Sequence, residues 1–298
     1  MRDYSIFTDS SCDSPGDILS RHGVTRIPFY ISFDQTRYYK EIEEMSIDLF
    51  YEKLSSEKIF PKTSLPSVQD YINAFTPVVE AGQDILCVCL SSKFSGSFQS
   101  AVNAKHIVEE DHENAVIEIV DSRQATSGQG LVVLQAAAMR EAGISLRENV
   151  ERLEQLRETC HIMFTVGTLE YLQKGGRIGK AASLAGSVLN LKPLIQMKHG
   201  ELIPYGTIRG RKKSLDRIVP MTEEYFATHG ESYRDYDFLI TTGLTVEEAS
   251  KVKAATERLI GRPISYPIFQ IGVTIGTNTG PDAIGICFIR RYDTADRR

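Results

Sequence analysis

Ile85-Leu86-Cys87-Val88-Cys89-Leu90-Ser91-Ser92-Lys93-Phe94-Ser95-Gly96-Ser97-Phe98-Gln99-Ser100 reads as strand, polar turn and helix start. Six apolar residues in a row suit a strand buried on both faces. Between about residues 96 and 110 the pattern becomes helical, with Phe98, Ala101, Val102, Ile107 and Val108 forming an apolar stripe. The junction gathers backbone N–H groups and hydroxyls at the positive end of a helix dipole, which suits phosphate, sulfate or carboxylate. The same residues also suit an ordinary strand-to-helix loop with a serine N-cap.

Outward from this turn the first half alternates strands and helices. Ser5-Ile6-Phe7 is a short strand ending in the polar turn Thr8-Asp9-Ser10-Ser11-Cys12-Asp13-Ser14, and Pro15 suits a helix start. Residues 27–33 read as the next strand, and 48–54 as a helix. Lys62-Thr63-Ser64-Leu65-Pro66-Ser67 reads as a hydroxyl-rich loop whose last residue caps a helix over 68–79, with Asp70 in its first turn. A strand at 115–120 and helices at 128–142 and 146–159 follow. This order implies βαβ units and a parallel sheet, with ligands beyond the carboxyl ends of its strands. The hydroxyl-rich segments 8–14, 63–67 and 91–97 are expected to converge on one cleft.

The second half reads as a second α/β domain with a mixed sheet. A strand over 162–166 leads into a short helix stopped by Gly175-Gly176, and a second helix spans 179–189. His199-Gly200 joins two strands as a hairpin. Helices at 214–228 and 246–260 and strands at 238–241, 268–271 and 284–289 complete it. The expected fold is therefore two α/β domains, 1–160 and 161–298, with the ligand site between them.

The composition narrows the function classes. The 298 residues are 42% hydrophobic and 24% charged, and the formal net charge is -5, so no global attraction to nucleic acid exists. No apolar run approaches the roughly 18 residues of a membrane helix. Residues Met1-Arg2-Asp3-Tyr4 lead straight into a strand without a signal-peptide core, so a cytoplasmic location is expected. Five cysteines with no C-x-x-C pair argue against a disulfide framework or a metal site.

Other chemistries find little support. Gly128-x-Gly130-x-x-Val133 lacks the third glycine of a dinucleotide fingerprint, and no G-x-x-x-x-G-K-[ST] phosphate loop occurs. Lys93 breaks the G-x-S-x-G elbow around Ser95, and nothing in the spacing of His161, His199 or His229 selects one as its base. Lys174-Gly175-Gly176-Arg177 suits either anion binding or a helix stop with a flexible link. Residues 209–213, Arg-Gly-Arg-Lys-Lys, suit either a solvated face or a docking patch. Gly276-Thr277-Asn278-Thr279-Gly280-Pro281 reads as a turn with polar contacts to a ligand.

Taken in order, these segments resemble the DegV family of bacterial fatty-acid-binding proteins over nearly the whole chain. The match runs through Thr8-Asp9-Ser10-Ser11, residues 63–67 and 91–101, and Val120-Asp121-Ser122. It continues through residues 168–178, Leu189-Asn190-Leu191-Lys192-Pro193 and the turn at 276–281. The resemblance implies a long-chain fatty acid bound between two α/β domains, its carboxylate held by Thr63, Ser95 and the backbone at Gly96. It implies a carrier with no catalytic residues of its own and no cofactor. Such a carrier presents the acid to a separate fatty-acid kinase, whose acyl phosphate enters phospholipid synthesis. Arg177 and Arg209 match basic positions that serve the partner or the phosphate. Many relatives carry histidine where this chain has Asn278, followed here by Asp282 in place of glycine. Asparagine can still hydrogen-bond a carboxylate, but it carries neither a proton nor a positive charge.

The alternatives are a hydrolase or phosphotransferase using the same anion site, and an interaction module using residues 209–213. Burying about 14 methylenes at roughly 0.8 kcal/mol each is worth on the order of 11 kcal/mol before ordering costs, against about 1.5–3 kcal/mol per carboxylate hydrogen bond. The tail would therefore set affinity and the polar turn orientation. Ile27, Phe29, Ile31, Phe94, Leu131, Val166, Leu189 and Ile195 are candidate walls, although each also suits plain core packing.

Overall fold

The computed structural model describes residues 3–57, 59–185 and 190–294. The first half runs β1 (Tyr4–Asp9), α1 (Gly16–Arg21), β2 (Val24–Ile27), β3 (Tyr30–Ser32), β4 (Tyr39–Lys40), α2 (Ile47–Glu57), β5 (Lys62–Ser64), α3 (Val68–Glu80), β6 (Asp84–Cys89), α4 (Ser97–Asp111), β7 (Ile117–Asp121), α5 (Thr126–Glu141) and α6 (Leu146–Leu156). The second runs β8 (His161–Thr165), α7 (Glu170–Gly175), β9 (Leu191–Lys198), β10 (Glu201–Arg209), α8 (Arg211–His229), β11 (Tyr236–Thr242), α9 (Val246–Ile260), β12 (Phe269–Gln270), α10 (Val273–Thr279) and β13 (Ile284–Arg290).

Three sheets result. A parallel sheet has the order β2-β1-β6-β7, a mixed sheet β10-β9-β8-β13-β11-β12, and a small antiparallel sheet β4-β3-β5. Every strand of the parallel and small sheets precedes Cys160, and every strand of the mixed sheet follows it. The continuous apolar run of β6 is explained by burial on both faces. Cys87 and Cys89 face the cluster under α3 and α4, while Leu86 and Val88 face the cluster shared with α5. Helix α5 is covered on nearly every side: most of its residues are apolar or small, and its buried Gln129 and Gln135 are hydrogen-bonded. It packs against both the parallel sheet and the mixed sheet, so one core spans the two halves. Helices α8 and α9 cover the outer face of the mixed sheet.

Several sequence expectations change. Residues 27–33 are not one strand: β2 ends at Ile27 in the parallel sheet, and β3 begins at Tyr30 in the small sheet. Pro28, between them, has no N–H to continue a ladder. Thr63 lies in a short strand rather than a loop, paired antiparallel with Ile31. The helix expected over 179–189 is a 3-10 turn, Gly179–Leu184, and Leu189 lies outside the described residues.

The expected turn at 276–281 is largely helical, since α10 extends to Thr279. Thr277 Oγ1 donates to Val273 O at 2.8 Å, Asn278 Nδ2 to Thr274 O at 3.0 Å and Thr279 Oγ1 to Ile275 O at 3.1 Å. Turn-forming side chains thus bond back to the helix carbonyls instead of ending the helix.

Candidate functional site

The parallel sheet changes winding direction between β1 and β6, where ligand crevices form in such sheets. Asp9, at the end of β1, organises this point. Its Oδ2 accepts the Leu90 amide and the Ser97 hydroxyl, both at 2.9 Å, and its Oδ1 accepts Ser11 Oγ at 2.6 Å and Gln129 Nε2 at 2.9 Å. Burial raises the Asp9 pKa, and these four hydrogen bonds oppose the rise. The turn after β6 and the first residue of α4 are therefore tied to one buried carboxylate. Within the turn, the Ser97 amide donates to Ser95 Oγ at 3.2 Å.

Beside this turn lies a cavity of about 230 Å³. Thr63, Ser64 and Leu65 wall it on one side, Phe94 and Ser95 on another, and Thr274 and Asn278 of α10 on a third. Most of the remaining wall is apolar, with Ile162 and Phe164 of β8, Met197 of β9 and Leu202 of β10, and Thr126, Thr241 and Thr279 also line it. It is a channel with hydroxyls and an amide near one set of loops and mostly hydrocarbon from the mixed sheet elsewhere, as an amphiphile requires.

Two of the three hydroxyl-rich segments contribute to these walls. The third, 8–14, does not: Ser10, Ser11 and Asp13 are buried behind the site as its support. Ser10 Oγ donates to Glu41 Oε2 at 2.6 Å and accepts the Phe29 amide at 2.9 Å. Glu41 also accepts Thr274 N at 3.1 Å and Thr274 Oγ1 at 2.8 Å. One buried acid therefore holds the polar turn after β1, the wall residue Phe29 and the start of α10.

Asp13 shares this interior. A side chain at Gly272 would meet Asp13 Oδ1 at 2.5 Å and Glu41 Oε1 at 2.7 Å, so glycine is required where α10 closes on the two carboxylates. Burial, then the neighbouring Glu41, hold Asp13 well above the usual carboxylate range. Thr126 and the Gly272 amide oppose that rise at Asp13, while Glu41 accepts hydrogen bonds from Ser10 and Thr274. Burial raises the Glu41 pKa too, opposed by its bonds from Ser10 and Thr274.

Thr63, Ser95, Asn278 and Arg177 all line the cavity. Gly96 stands just behind the wall as the residue before α4, with the Leu65 side chain over it. Arg177 bridges the halves at the surface: its Nε donates to Phe94 O at 3.0 Å and its Nη1 to Gly175 O at 2.6 Å. Arg209 is not brought to the cavity. It ends β10 on the surface, about 25 Å along the strand from the hairpin tip. That tip touches the turn, where Ser91 Oγ donates to Gly200 O at 3.1 Å. Within residues 209–213, Arg211 is engaged by Glu248 at 2.7 Å, while Lys212 and Lys213 are exposed.

Of the candidate wall residues, Phe29 and Phe94 line the cavity. Leu131, Val166 and Ile195 are fully buried in the core around it, and Ile27 and Ile31 belong to other clusters. Ile195 lies on the same sheet face as Phe164 without reaching the channel, and the others pack into clusters around it. His161 is held on the opposite face of the mixed sheet, its ring 4.4 Å from that of Tyr225, and burial pushes its pKa down to about 3. Sequence reasoning passed over Glu41 and Thr274. Glu41 sits in the charged stretch Lys40-Glu41-Ile42-Glu43-Glu44, where nothing distinguishes a buried acid from its exposed neighbours.

An α/β protein with an amphiphilic channel between a parallel and a mixed sheet is the class defined by this architecture. The chain belongs to the DegV family, whose model, described as an uncharacterised protein family, matches residues 3–291. A DegV domain-containing protein of Caldanaerobacter subterraneus is 32% identical, with 97% of this chain and 99% of that one covered. A stearic-acid-binding protein from Eubacterium ventriosum has a similar crystal structure, with TM-score 0.93 and 35% identity over 98% of this chain and 99% of that one. A DegV family protein from Thermus thermophilus, described for its fatty-acid binding, superposes with TM-score 0.85 and 30% identity over 97% of this chain and all (100%) of that one. Among the described residues no helix is long and apolar enough to cross a membrane, and no group of His, Cys, Asp and Glu could hold a metal ion.

Proposed function

We propose that this protein binds a long-chain fatty acid in the cavity and acts as a carrier. The supporting observation is the asymmetry of the walls: Thr63, Ser95 and Asn278 on the loop side, and mostly hydrocarbon from the mixed sheet on the other. In this reading the carboxylate accepts hydrogen bonds from Thr63 and Ser95, the Gly96 backbone and the Asn278 amide. Residues 1–160 supply the carboxylate turns, and 161–298 close over the tail. Binding of fatty acids by the Eubacterium and Thermus relatives supports the same assignment.

The carrier then presents its acid to a separate fatty-acid kinase, in the cytoplasm, for acyl-phosphate formation and phospholipid synthesis. Arg177, exposed at the cavity mouth, and Arg209, exposed at the far end of the hairpin, are the cations offered to that partner or its phosphate. Asn278 carries no charge, so the carboxylate is held by neutral donors.

Mass spectrometry of an organic extract of the purified protein is expected to release a long-chain fatty acid in near-stoichiometric amount. A protein that purifies empty and takes up neither palmitate nor oleate would overturn the reading. Charge reversal at Arg177 and Arg209 is expected to reduce kinase-dependent phosphorylation of the bound acid while leaving acid binding intact at Arg209.

A further inference from the structure

Five strands of the mixed sheet place one residue each in a single row facing the interior. From β9 to β12 the row reads Ile195, Phe164, Gly285, Thr241 and Phe269, each paired with the next across the sheet. Directly paired residues point to the same face of a sheet. The row is therefore bulky at both ends and notched in the middle, where Gly285 has no side chain and Thr241 a small one. Phe164, Gly285 and Thr241 all line the cavity. Thr241 Oγ1 is turned to Phe269 O at 3.4 Å, and its methyl group faces Gly285. A Cβ added at Gly285 would stand 3.2 Å from Ile162 Cγ2 and Phe164 Cβ and 3.4 Å from Thr241 Cγ2. The notch is thus bounded by hydrocarbon on three sides. In the next row, Cys287 and Leu239 are buried and form the floor beneath it, while Ile162 lines the cavity beside them.

We infer that the Gly285–Thr241 notch receives the methyl end of the acyl chain and sets the longest chain the site accepts. This rests on the fatty-acid reading above and adds its length specificity. The polar groups proposed for the carboxylate lie on the loops and α10, while the notch lies on the sheet, so a carboxylate held by the former leaves the notch to the acyl chain. Each methylene forced back into water costs about fourfold in affinity, and two cost about 15-fold. A methyl group at 285 displaces about one methylene of a chain that reaches the floor and none of a chain that stops short of it.

The test is the affinity of wild type, Gly285→Ala and Thr241→Ile for dodecanoic, tetradecanoic, hexadecanoic and octadecanoic acid, with thermal unfolding as a check on the fold. Both variants are expected to lose about fourfold to 15-fold for the longest acid that wild type binds well and to keep wild-type affinity for the shortest. The preferred length of the co-purified acid is expected to fall with them. If the tight approach at 285 prevents folding of the alanine variant, Thr241→Ile decides, since isoleucine suits a strand and leaves the glycine in place. An unchanged length profile, or an equal loss for every acid, overturns the inference. A wild-type protein that binds none of the acids overturns the fatty-acid reading itself, and the notch assignment with it.

Discussion

Asp9 Oδ2 accepts the Ser97 hydroxyl at 2.9 Å across the junction between the first strand of the parallel sheet and the helix that follows β6. The same oxygen accepts the Leu90 amide at 2.9 Å, so one carboxylate fixes both ends of the turn that carries Ser95. Asp9→Asn places an amide NH2 or an amide oxygen where two acceptor atoms are needed, leaving at least one buried donor unsatisfied. A loss of about 2–4 kcal/mol of stability is expected by urea denaturation, with weaker fatty-acid binding in the surviving folded protein.

Ser95 and Thr63 act on the ligand rather than on the fold in the proposed site. Ser95→Ala and Thr63→Val are each expected to weaken palmitate binding by roughly 10- to 150-fold, the cost of one hydrogen bond to a charged group. Thermal unfolding of the ligand-free variants should stay within a few degrees of wild type, because valine is at home in a short strand such as β5 and the turn retains its tie to Asp9. Loss of folding without a specific loss of affinity would remove both residues from the site.

Asn278 makes binding independent of a titrating base in this reading. Asn278→His is expected to introduce a pH dependence: the imidazolium form attracts the carboxylate, so affinity rises as pH falls below about 6.5 and returns to a lower plateau above it. Wild type should show no such step between pH 6 and 8. Titration calorimetry across that range distinguishes the two. Identical profiles would place the side chain of residue 278 away from the carboxylate.

The Asp13–Glu41 pair gives a stability signature. Burial and the neighbouring carboxylate raise the Asp13 pKa in the folded protein above its unfolded value. Its stabilising contribution is therefore complete below about pH 3.9, the unfolded value, and is lost as pH rises toward the folded value. Asp13→Asn cannot ionise and escapes that loss. The melting temperature of the variant relative to wild type is expected to increase as pH rises above about 4. A constant difference would mean that Asp13 is ionised in the folded protein.

Much of this protein is determined by its local sequence. The unbroken apolar run 85–90 requires a strand covered on both sides, and the serines and Gly96 after it require a turn into a helix, because backbone geometry and hydrogen bonding act over a few residues. Those same local patterns marked 63–67 and 91–97 as hydroxyl-rich segments, and the family resemblance singled out Thr63 and Ser95 within them. What tertiary structure alone decided is which side chains share one space. Glu41 becomes buried because Ser10 and Thr274, distant in sequence, bring their hydroxyls to it. Residues 273–279 form a helix despite their turn-forming composition because those contacts, and the bonds of their own side chains to the helix carbonyls, satisfy groups that water would otherwise take. The depth of the cavity depends on strand register, which sets Gly285 between Phe164 and Thr241. Register is a pairing between strands far apart in the chain, so no local pattern encodes it. The turn at 91–100 could thus be read from its residues, while the room beside it exists only once the two sheets have packed.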